Sequence, residues 1–154
     1  MFSERKSIKQ VEESNEFAPK FDKNGLIVVT TVDASNEKIL MTGYMNKEAL
    51  EQTIITKEAY YFSRSHQSIW HKGATSGYIQ KVKEILIDDD QDALYMKVEI
   101  PENGASCHVG YKSCFYRKIK LEDNQNIVEL EDLGHKKVFD PKKIYGDAPN
   151  PTKL

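Results

Sequence analysis

Along residues 93–100, Leu94, Met96, Val98 and Ile100 alternate with Tyr95, Lys97 and Glu99. That period of two predicts a half-buried β-strand. Residues 26–32 (LIVVTTV) are dense in β-branched side chains, and 38–44 (KILMTGY) follow the turn cluster Asp33-Ala34-Ser35-Asn36, so the two predict a hairpin. Asn46 is a good N-cap for a helix with Glu48 in its first turn and Ala49, Leu50, Thr53 and Ile54 on one face. Strand character returns at 59–63 and 81–88, and more weakly at 113–120 and 127–130. Between these, residues 64–80 are polar and carry Gly73 and Gly77, a segment too long to be an idle loop in a compact domain. The pattern predicts an α+β single domain, mainly antiparallel sheet with one clear helix. It spans 19–134, between a polar arm at 1–18, read as mobile, and a Lys-, Pro- and Asp-rich tail at 135–154.

Composition narrows the class of function. A chain of 154 residues fits one domain that buries roughly two-thirds of its unfolded surface. A formal net charge of −2 argues against non-specific nucleic-acid binding, so an anionic substrate must be held by a local cluster. The first residues lack the apolar core of a secretory signal, and no stretch approaches the ~18 apolar residues of a membrane span. Two cysteines provide no disulfide framework, which suits a reducing compartment and predicts a soluble, cytoplasmic protein without membrane partners.

Three segments carry candidate chemistry. Asp88, Asp89, Asp90 and Asp92 crowd four carboxylates between two apolar strands, which requires either full solvation or a cation. The spacing D-x-D-x-D resembles the opening of an EF-hand, but Ala93 stands where that loop needs glycine. On a straight strand the three alternate carboxylates would be too widely spaced for one ion, so the segment must curl or bind through water. Cys107 and Cys114 flank His108 in ASCHVGYKSCFYR. Their spacing matches no common structural zinc site, and buried free thiols remain an alternative. In YFSRSHQSIWHKGATSG, Arg64, Ser65, Lys72, Thr75 and Ser76 lie near two glycines and could present charge, hydroxyls and N–H groups to a phosphate. This is not a Walker A loop, because Lys72 precedes its glycine. Trp70, the single tryptophan, could stack on a base or fill the core.

Together with MTGYMN (41–46) and Gln80, these segments resemble the phosphoribosyl-AMP cyclohydrolase family from about residue 17 to 118. The resemblance implies hydrolytic opening of the N1–C6 bond of the adenine ring in 1-(5-phosphoribosyl)-AMP, a step of histidine biosynthesis, with zinc activating the water and magnesium assisting. It implies that Asp88, Asp90 and Asp92 hold magnesium and that Cys107 and Cys114 hold zinc. The zinc site is expected to be shared across an intertwined homodimer. Arg64, Ser65, Trp70, Lys72, Thr75 and Ser76 become candidate substrate contacts, and His108 a candidate catalytic base or further ligand. Some members carry a fused pyrophosphohydrolase domain; residues 121–154 are too few for it, so the cyclohydrolase alone is expected.

The match departs at one position. The family has a zinc-ligand cysteine between the first two aspartates, where this chain has Asp89. Aspartate can ligate zinc, but a hard oxygen in place of a soft thiolate weakens the site and leaves the metal more Lewis acidic. Hydrolysis of a different purine or related nucleotide on the same scaffold is the alternative reading.

Overall fold

The computed structural model describes residues 1–121 and 127–154. Strands β1 (Leu26–Asp33) and β2 (Ile39–Asn46) form the expected antiparallel hairpin. Helix α2 (Lys47–Thr56) follows at once, with the Asn46 side chain accepting from the Ala49 N–H at 2.8 Å. It buries Ala49, Leu50 and Thr53, whereas Ile54, expected on that face, is exposed. Thr53 ties the helix to the next strand: its hydroxyl accepts from the Tyr60 N–H at 3.0 Å.

Strand β3 (Tyr60–Ser63) pairs with β4 (Ser68–His71), placing a second small hairpin inside the polar segment. Alternation there is carried only by Ile69 and Trp70 among polar neighbours, too little to announce a strand. The chain returns through β5 (Lys81–Ile87) and β6 (Ala93–Glu99), giving a four-stranded sheet ordered β2-β1-β6-β5. The central pair β1 and β6 is parallel, so the sheet is mixed. Non-local register of this kind is not written into local alternation.

Ile27, Val29, Met41, Met45, Leu94, Met96 and Val98 line one face and join Leu50 and Tyr61 in a single core. Complete burial of a side chain such as Leu50 contributes about 1.5–3 kcal/mol. On the opposite face Val28, Thr30, Thr42, Tyr44, Tyr95 and Leu86 are half-buried or exposed.

The expected weak strands are shorter than predicted, as β7 (Arg117–Ile119) and β8 (Leu130–Asp132). Both terminal segments hold short helices that the sequence pattern does not announce: α1 (Ile8–Glu13) and α3 (Pro141–Tyr145). The N-terminal arm is pinned by Gln91, whose side chain accepts from the Ala18 N–H and donates to the Val11 carbonyl. Among the described residues no helix is long and apolar enough to cross a membrane.

Candidate active site

Residues 104–116 fold as a loop over the end of the sheet. The Ser106 N–H donates to the Lys112 carbonyl and the Cys107 N–H to the Tyr111 carbonyl, while the Cys114 N–H donates to Leu40 at the start of β2. This doubling-back brings two cysteines seven positions apart close enough for each thiol to act on the other's ionisation. Hydrogen bonding from Cys114 lowers the Cys107 thiol to about 6 against the opposing effect of burial, with backbone donors and His108 helping. Cys114 is pushed up in turn, by its bond to Cys107, by burial and by the charge on that neighbour. Cys107 is therefore the more acidic sulfur of an interacting pair.

Lys72 lies against this pair. It is only 4% exposed, and its ammonium donates to the Ser106 carbonyl at 2.6 Å with the Trp70 ring 4.8 Å away. Burial lowers its pKa, opposed by the cysteine charges. Facing the thiols, it is turned away from solvent. Beneath it runs a buried polar chain that the sequence reading missed: Thr31 donates to the Tyr61 hydroxyl, Tyr61 to the Gln80 carbonyl oxygen, and the Gln80 amide to the Ser106 hydroxyl. A Tyr within a strand and a Gln at a strand edge carry no local signal of such a network.

Of the remaining substrate candidates, the glycine turn with Thr75 and Ser76, and Trp70, adjoin Lys72, whereas Arg64 and Ser65 lie toward the Val28 end of the sheet. Gly73 has φ +91, and a Cβ there would sit 2.4 Å from the Ile79 nitrogen, so only glycine fits this turn. The turn is closed by the Gly77 N–H donating to Gly73. It presents Thr75, exposed, and Ser76, half-buried, beside the cysteine loop. Trp70 is 42% exposed and tilts against Tyr61, so it fills the core only in part. Arg64 lies 4.2 Å over the Tyr44 ring, and Ser65 is exposed next to it. His108 is half-buried, close enough for its charge to act on Cys107.

The acidic turn is elsewhere. It curls as the spacing requires, with Asp88 accepting from the Asp92 and Ala93 N–H groups and Gln91 at φ +59. The ligand atoms of Asp88, Asp89 and Asp90 lie within 4.8 Å of one another, a different triplet from the alternate one expected. Asp92 instead shares the Lys20 ammonium with Asp90, at 3.0 and 3.1 Å. Val28 pairs with Ala93 at this end of β1 and Val32 with Ile39 at the cysteine end. The four steps from Val28 to Val32 set these two ends of β1 about 13 Å apart along the strand.

The described residues form one small domain of mixed α/β content, mainly sheet with few helices. The family model described as phosphoribosyl-AMP cyclohydrolase matches residues 41–116. A phosphoribosyl-AMP cyclohydrolase of Rhizobium leguminosarum is 46% identical over 88% of this chain and 89% of its own length. One from Rhodopseudomonas palustris strain TIE-1 is 48% identical with the same coverage. The chain belongs to the phosphoribosyl-AMP cyclohydrolase family.

Proposed function

We propose that this protein opens the adenine ring of 1-(5-phosphoribosyl)-AMP in histidine biosynthesis by adding water at C6 and breaking the N1–C6 bond. The observation that carries the reading is the paired thiol site, on a chain whose relatives of that name match it along almost nine-tenths of their length.

The donor set fits zinc. Two neighbouring thiols, one of them already made acidic, would bind a divalent cation as thiolates and release their protons. Cys107 and Cys114 would hold the ion, and a bound zinc supplies Lewis acidity that lowers the pKa of water toward neutrality. Asp89 is too far away along the sheet to complete the site in its own chain, which favours Asp89 from a second copy as the oxygen ligand. The half-exposed second face of the sheet is a surface on which that copy can pack. The acidic turn fits magnesium, because Asp90 and Asp92 already share the Lys20 cation; Asp88, Asp90 and Asp92 would hold it, some through water.

The chain's own residues supply binding and orientation. Substitution at N1 makes the amidine of the substrate readily cationic, so C6 accepts a nucleophile. Trp70 offers a face to the base, and the Gly73–Gly77 turn with Thr75, Ser76, Ser65 and Arg64 offers donors to the phosphates. The Lys72 ammonium balances the negative sulfurs from below. His108, near Cys107, would take a proton from water.

Assay of the purified protein on phosphoribosyl-AMP, with elemental analysis of the same sample, tests this. Turnover with stoichiometric zinc is expected. A zinc-containing protein that ignores this substrate and hydrolyses another purine nucleotide would overturn the substrate assignment.

A further inference from the structure

The C-terminal segment does not trail away from the domain. The Val138 N–H donates to the Gly110 carbonyl at 2.7 Å, in the middle of the cysteine loop. Gly110 has φ +104, and a Cβ on it would meet the Phe139 carbonyl at 2.4 Å, so the two backbones touch. Phe139 stacks on Tyr78 at 5.5 Å, next to the glycine turn, and the Tyr145 ring closes edge-on against Phe139. Lys137 reaches over Tyr111. Asp140 caps α3 and Pro141 opens it, so the reversal that returns Tyr145 to the site is built into the local sequence. Tyr145 thereby backs the Phe139–Tyr78 stack next to the turn that carries Ser76. All of these strap residues fall beyond residue 116, where the family match ends.

We infer that residues 137–145 are a wall of the active site and that Tyr145 is a positioning residue, bracing Phe139 and Tyr78 and with them the Gly73–Gly77 turn against the cysteine loop. Its role rests on the reading that this turn receives a substrate phosphate. A ring that braces a phosphate-binding turn acts on binding more than on the chemical step. Phe139 and the 138–110 contact shut solvent away from Cys107, which is buried although it sits in a loop.

Two measurements on the full-length protein test the inference. Tyr145→Ala removes the ring, and KM for phosphoribosyl-AMP should rise about tenfold with kcat within about twofold, while Tyr145→Phe, which keeps the ring, should stay near wild type. An unchanged KM for Tyr145→Ala, or a fall in kcat alone, would overturn the positioning role. Phe139→Ala should raise the rate of Cys107 alkylation by about tenfold as the wall loosens. An unchanged rate would show that the strap does not cover the site. If the wild-type protein leaves phosphoribosyl-AMP intact, the functional reading and Tyr145's role fail together, while alkylation still decides the wall.

Discussion

Tyr61 donates its hydroxyl to the Gln80 side chain at 2.7 Å, with both residues almost wholly buried. That bond is the middle of the chain running from Thr31 on the central strand to Ser106, the neighbour of Cys107. Burial pushes the Tyr61 pKa up, so its proton stays in place. Among the described residues no buried side-chain nitrogen or oxygen lacks a partner. Tyr61→Phe strands the Thr31 and Gln80 ends of this chain, and should cost about 1–3 kcal/mol for each buried group left unmatched. Urea unfolding measures the loss; a stability unchanged within about 0.5 kcal/mol would mean water repairs the chain.

Cys107→Ser and Cys114→Ser should each remove zinc and reduce turnover at least a hundredfold, since a hydroxyl does not ionise in place of a thiol. Metal content and initial rate are the readouts. Either variant with wild-type zinc and rate would strike that cysteine from the ligand set.

Asp33, at the end of β1, anchors the cysteine loop through Lys112 at 3.0 Å. Burial alone would raise its carboxyl pKa, but donors from Ser35 and the Lys112 ammonium more than offset that and hold it below the usual range. A depressed folded pKa contributes stability above the unfolded value of about 3.9, and that stability is lost as pH falls through the folded value. Asp33→Asn should therefore be less stable than wild type at pH 7 and converge toward it in acid. Thermal unfolding between pH 7 and 3 checks this, and a constant gap would contradict it.

The Lys20 ammonium occupies the position between Asp90 and Asp92 that a cation would take. Lys20→Met should lower the magnesium concentration for half-maximal rate severalfold, and Asp90→Asn should raise it while leaving zinc bound. Magnesium titrations of both variants with zinc analysis decide the matter. Loss of zinc with an unchanged magnesium response would reverse the division of the two sites.

The alternation of Leu94, Met96 and Val98, the β-branched run at Leu26 and the Asn46 cap made most of the sheet and its helix readable, because each is a local signal. The parallel β1–β6 pairing was not, since register between distant strands leaves no local trace. Both candidate clusters were legible as residue types, yet their separation along β1 was not, nor was the inward turn of Lys72. The strap was hidden for a plainer reason: a segment with few apolar residues looks like a tail until Phe139 and Tyr145 find aromatic partners.

The zinc site proposed here takes its sulfurs from one copy and Asp89 from another, and complementation tests that together with the reaction itself. Asp89→Ala and Cys107→Ser should each be nearly inactive on phosphoribosyl-AMP when purified alone. Co-expressed in equal amounts, half of the dimers are mixed and carry one intact site. The mixture should then recover about a quarter of the wild-type rate, as expected for two equivalent sites in a twofold dimer. Recovery at that level is the predicted result. A mixture no more active than its parents, or an Asp89→Ala protein that is fully active by itself, would contradict the shared site.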